Sequence, residues 1–195
     1  MQGSKSRISI LRYIVCRICE FRSYLHEIGS RFRKVRLPSQ GVTSGDRGPE
    51  VERRVKAEIC LTDHVPGCKN FYWHEVLYCT QWECHVFPTG RQYENLIKVS
   101  LVLQEIRNRL NRPIRVTSGL RAKKYNELIH GAKASMHIWG KALDFQVKDI
   151  DADQVRNLVF PWLDELKIRM ENLNGSSWVH IDIREPTQGR RYFLP

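Results

Sequence analysis

Apolar residues recur at helical spacing over residues 92–111, where Leu96, Val99, Leu103, Ile106 and Leu110 fall on one face. Asn111, just before Pro113, marks the end of that helix. The pattern then shortens. Residues 114–118 read as a short buried strand, 125–129 as a short helix closed by Gly131, and 142–147 as a second strand. Asp151 is placed to cap a helix that runs to about Phe160, where Pro161 forces a kink or a break. Residues 168–171 and 177–184 read as antiparallel strands, and in the second of these Trp178, His180 and Asp182 alternate, so at strand period they share a face. No internal repeat is visible. This order predicts an α+β domain built on a small antiparallel sheet, with helices on one face and a site on the other.

The chemistry-bearing residues of that sheet are His137, Asp144 and His180, in the strings SMHIWGKALDF and WVHID. Zinc takes imidazole nitrogens and carboxylate oxygens, and a catalytic zinc site uses three protein ligands and leaves the fourth position to water. Two His and one Asp match that count. His137 and Asp144 are too far apart for one helical turn, but Gly140 between them permits a loop that folds one beside the other. Arg121 follows the apolar strand 114–118 and offers a fixed, permanently charged fork of donors, suited to a carboxylate or to a developing oxyanion.

The stretch VTSGLRAKKYNELIHGAKASMHIWGKALDF, residues 116–145, followed by WVHID at 178–182, resembles the zinc D-Ala-D-Ala carboxypeptidases and peptidoglycan endopeptidases, a group that shares its fold with the hedgehog signalling domain. The shared pattern is SGxR, then SxHxxxxxxD, then a strand His. Here it is met by Ser118, Gly119 and Arg121, by Ser135, His137 and Asp144, and by His180, within a likeness covering roughly residues 57–195. The resemblance implies one zinc ion on His137, Asp144 and His180, an Arg121 that faces the reacting carbonyl, a Ser135 that touches substrate, and a peptidoglycan stem peptide as that substrate. Trp139, two residues after His137, is expected to border the substrate peptide.

The chain departs from that family where proton transfer is concerned. Many members carry Glu or Asp three residues before the last zinc His, and some a second His two residues before it. Ser177 and Trp178 stand there instead, and neither can take a proton from water. Glu171 is the expected base, returned toward the metal by the loop NLNGSS, with Asp182 as an orienter of His180 or a substitute base. The missing carboxylate leaves open an alternative class, a catalytically impaired zinc-containing binding or signalling module.

Composition changes the picture little. The formal charge of +11 is uneven: residues 1–56 carry 13 Lys and Arg against 5 Asp and Glu, and residues 57–195 carry 19 against 16. The basicity therefore belongs to an N-terminal extension, 1–56, ahead of a catalytic domain, 57–195, and no nucleic-acid partner is expected. Within the extension, 8–29 reads as a basic amphipathic helix and 37–50, rich in Gly, Pro and Ser, as a linker. Arg12 and Arg17 interrupt the apolar run and no small-residue cleavage site follows, so a signal peptide is not expected there. A peripheral contact with an anionic wall or membrane through 1–56 and a monomeric, wall-acting protein, exported or phage-released, are the remaining expectations. No run of eighteen apolar residues occurs. Cys16 and Cys19 form a CxxC without a second such pair. Cys60, Cys68, Cys79 and Cys84 are interleaved with His64, His74 and His85 and leave disulfides, a structural zinc and free thiols all open.

Overall fold

The computed structural model describes residues 59–80, 82–186 and 189–194. The expected helix 8–29, linker 37–50 and CxxC at Cys16 and Cys19 lie outside the described residues. Among the described residues no helix is long and apolar enough to cross a membrane.

A short helix α1 (Trp73–Leu77) leads into a two-stranded hairpin, β1 (Tyr78–Cys79) and β2 (Cys84–His85). Helix α2 (Gly90–Leu110) follows. It starts earlier than the apolar spacing indicates because Gln92 reaches back to cap the Thr89 N–H at 2.7 Å. It ends where Asn111 turns into the left-handed region, its φ being 49°. Then come β3 (Ile114–Ser118), α3 (Lys123–Leu128), a 3-10 turn at Met136–Trp139, β4 (Ala142–Val147) and α4 (Ala152–Val159). Asp151 caps α4 by accepting from the Asp153 N–H at 2.8 Å, and Pro161 falls in the 3-10 turn that ends the helix. The chain closes with β5 (Arg169–Glu171), β6 (Val179–Asp182) and β7 (Tyr192–Phe193).

Among the described residues five strands form one sheet in the order β3-β4-β6-β5-β7. The first four are antiparallel, as the sequence indicates; β7 adds a parallel edge against β5 that the apolar pattern does not announce. Strand 177–184 is shorter than its alternation suggests. Trp178 precedes β6 and is 39% exposed, and its carbonyl accepts from the buried Arg156 guanidinium at 3.0 Å instead of joining the ladder.

Alternation along the central strands sorts the two faces. Leu143, Phe145, Val179 and Ile181 point into a core shared with Leu96, Val99, Leu103 and Ile106 of α2 and Val155 and Val159 of α4. Asp144, His180 and Asp182 are therefore turned to the other face. The edge strand β3 is held by α1, where Leu120 N–H donates to the Val76 carbonyl at 2.8 Å. Gly119 is forced by that approach: a Cβ there would lie 2.0 Å from the Val76 oxygen. Gly119→Ala should cost about 1–3 kcal/mol or more, read as a lower midpoint in a denaturant melt with unchanged slope.

Candidate metal centre

Two loops meet at the end of the sheet. The segment after β3 carries Gly119 and Arg121, and the 3-10 turn carries His137. They are tied together by the Arg121 N–H donating to the His137 carbonyl at 3.1 Å. Helix α2 holds the turn from outside, Gln92 donating to the Ile138 carbonyl at 2.8 Å and Asn95 to the Trp139 carbonyl at 2.9 Å. Gly140 closes the turn with φ of 66°, and a Cβ at this position would lie 2.8 Å from the Gln92 carbonyl oxygen. The tight return expected between His137 and Asp144 is thus set by both backbone handedness and the helix beside it.

Strand register supplies the rest. Asp144 on β4 lies opposite Ser118 on β3 and opposite His180 on β6. The three candidate ligand atoms form a small triangle. His137 Nε2 is 3.2 Å from Asp144 Oδ1 and 3.2 Å from His180 Nδ1, and His180 Nδ1 is 2.7 Å from Asp144 Oδ1. Ligand atoms 2.0–2.1 Å from a tetrahedral ion stand roughly 3.3 Å apart, so small outward shifts accommodate zinc. Among the described residues this is the group of His, Cys, Asp and Glu side chains gathered closely enough to hold a metal.

The outer nitrogens fix which ring atoms an ion would meet. The Gly119 carbonyl accepts from His137 Nδ1 at 2.8 Å, which leaves Nε2 as the free lone pair. His180 turns Nε2 toward Asp182, 3.8 Å from Oδ2, and presents Nδ1. The donor set, its spacing and its tautomers all fit zinc.

Electrostatics agree with a site built for a cation. Burial alone would raise the Asp144 pKa, but the charges and hydrogen bonds of His137 and His180 hold it well below the usual carboxylate range. Burial works against a charged His180, yet hydrogen bonds to Asp144 and Asp182 and the charges of Asp144 and Glu171 outweigh it and push its pKa up to about 9. That value exceeds the ordinary 6.5 of an unfolded His. The stabilisation is therefore complete below the unfolded pKa and is lost as pH rises through the folded one. Metal-free protein should lose unfolding free energy between about pH 6 and about pH 10. Zinc-loaded protein should show no such loss, since the ion replaces that proton; denaturant melts across pH with and without zinc test both.

The remaining candidates fall in different places. Arg121 stands beside the triad, Nη2 3.9 Å from Asp144 Oδ2, with Nη1 donating to Asn126 Oδ1 at 3.2 Å. Asn126 is itself buried and anchored to the Ala132 carbonyl at 3.0 Å, a support that the sequence pattern does not single out. Glu171 is half-buried on β5. The pairing Arg169↔Asp182 and Met170↔Ile181, continued by one residue, sets Glu171 against His180, and its charge is one of those that raise the His180 pKa. Asp182 is fully buried behind His180, and both its oxygens accept from Arg169. The pair of bonds and nearby His180 bring its pKa down to about 2 against the cost of burial. This placement suits an orienter of His180. Ser135 caps the metal-loop turn with its hydroxyl making no cap bond, and Trp139 is 57% exposed beside His137.

The Peptidase M15 family model matches residues 69–182, a span that contains the triad, Arg121, Glu171 and Asp182. Among solved structures the chain is similar to the Serratia marcescens L-Ala D-Glu endopeptidase ChiX at 19% identity, over 49% of this chain and 87% of that one, with a TM-score of 0.35. No curated protein matches the chain.

Proposed function

Since this chain belongs to the peptidase M15 family and is a metallopeptidase, we propose that it holds one zinc ion on His137, Asp144 and His180 and hydrolyses a peptide bond in peptidoglycan stem peptides. The observation that carries this reading is the triangle of ligand atoms, with the two outer imidazole nitrogens directed to Gly119 and Asp182. When bound, zinc supplies Lewis-acid polarisation of the scissile carbonyl and lowers the pKa of water to near neutrality.

The chain's own residues do the rest. Glu171 accepts a proton from the attacking water and returns it to the leaving amine. Arg121, held by Asn126 and Ser118, presents its guanidinium where negative charge grows on the carbonyl oxygen. Asp182 keeps His180 in one ring orientation. Ser135 and Trp139 line the approach of the peptide, Trp139 offering an exposed aromatic face next to the metal loop.

Digestion of purified peptidoglycan tests this reading. Zinc-loaded protein should release fragments that mass spectrometry identifies as free terminal D-Ala, for a carboxypeptidase, or as shortened stem peptides, for an endopeptidase. His137→Ala protein should release neither. A zinc-loaded wild type that yields no new fragment from several wall types would contradict the proposed substrate.

A further inference from the structure

Two charges lie buried on the metal-side face without belonging to the ligand set. Arg169 and Asp182 have side chains only 7% and 1% exposed. Arg169 Nε donates to Oδ1 at 3.0 Å and Nη2 to Oδ2 at 2.5 Å. A buried ion pair of this kind seldom stabilises a fold more than a packed apolar pair would, because both charges lose their water. Its position gives it another use. Asp182 follows His180 by two residues on the same strand face, with Oδ2 3.8 Å from His180 Nε2, and the Arg184 N–H donates to Oδ1 at 2.9 Å.

The guanidinium is in turn covered by the last strand. Phe193 lies over Arg169, ring centroid 4.2 Å from Cζ, and the same ring stands edge-on to His180 at 6.3 Å and 86°. Strand β7 is fastened to β5 by Met170 N–H donating to the Arg191 carbonyl at 2.7 Å and Asn172 N–H to the Phe193 carbonyl at 2.6 Å.

We propose that Arg169 and Phe193 are positioning residues of the metal centre: they fix the Asp182 carboxylate so that it holds the His180 ring, and the C-terminal strand β7 thereby completes the zinc site. This rests on the zinc-binding reading above. It adds that a strand outside the ligand motifs is part of the machinery.

Zinc affinity of the full chain, measured by competition with a chromophoric chelator, tests it. Arg169→Met keeps the length of the side chain but drops its charge and donors, and should weaken zinc binding about 10–100-fold, the usual cost of losing an outer partner of a ligand. Arg169→Lys should recover part of that loss. Combined with Asp182→Asn, Arg169→Met should add little, because both act through one carboxylate. The visible absorption of cobalt-substituted protein should shift in Arg169→Met, a signature that a merely structural role would not move. Phe193→Leu, which preserves apolar bulk without the ring, should move both readouts the same way by a smaller amount, and it carries the test if Arg169→Met does not fold. Folded variants with wild-type zinc affinity and cobalt spectrum, or Arg169 and Asp182 losses that simply add, would overturn the proposal. A wild type that binds no zinc would instead overturn the reading on which it rests.

Discussion

Glu171→Gln is expected to lower turnover about a hundred- to ten-thousand-fold, the range over which a positioned general base acts. The substitution keeps shape and hydrogen-bonding capacity and removes only the ability to take a proton. Glu171 contributes no ligand atom to the triangle of His137, Asp144 and His180, so zinc affinity should stay within a few-fold of wild type. The loss should appear in kcat more than in KM, because the carboxylate acts as charge is redistributed and not when substrate is bound. The family resemblance points to a base three residues before the last proposed ligand, where this chain has Ser177. Ser177→Glu in the Glu171→Gln background gives a second test: recovered turnover would show that the site accepts its base from either strand end. Full activity in Glu171→Gln, with loss in Asp182→Asn at unchanged zinc content, would move the base to Asp182.

His137→Ala is expected to have the larger effect on the metal itself. It removes one of the three proposed ligands and also frees the Gly119 carbonyl that fixes the ring, so two restraints vanish together. Losing an outer partner alone costs about 10–100-fold in affinity, and loss of a ligand should exceed that. The variant should therefore retain less than a stoichiometric zinc ion after dialysis and show no peptide hydrolysis. Its sheet should survive, because the apolar face of β4 and β6 against α2 and α4 does not involve the imidazole. Circular dichroism matching wild type, beside an empty zinc assay, separates loss of metal from loss of fold.

How far the site was legible depends on how local its causes are. His137, Gly140 and Asp144 sit within one short loop and strand, and a glycine between the other two is a local instruction to turn, which the structure carries out at Gly140. His180 was legible through the alternation of its strand. Arg121 was legible as a strand-end guanidinium, but the Asn126 that holds it was not, since a buried Asn in a short helix looks like any polar residue until its partner is known. Arg169 and Phe193 were missed for the same reason. Their roles arise from a parallel pairing between β5 and β7, and two-residue edge strands have too little sequence to announce themselves. Apolar spacing puts the start of α2 too late because it reports the buried face of a helix and not its cap, which Thr89 and Gln92 form. Alternation alone places Trp178 in the strand, whereas the buried Arg156 takes its carbonyl.

The cysteines illustrate the opposite case, in which spacing left several readings and geometry narrows the field. Cys79 and Cys84 lie opposite each other in the β1–β2 hairpin, while Cys60 is exposed and Cys68 buried, its thiol pushed up to about 11 by burial. None of the four joins a metal cluster among the described residues, so the structural-zinc reading gains no support there.

The most direct measurement is a zinc titration of chelator-stripped protein, following metal bound and peptide bond hydrolysis in the same samples. One catalytic zinc on His137, Asp144 and His180 requires hydrolysis to rise from none in proportion to bound metal and to level off at one ion per chain. Hydrolysis that persists in the stripped protein, or that stays absent when one ion is bound, would contradict it.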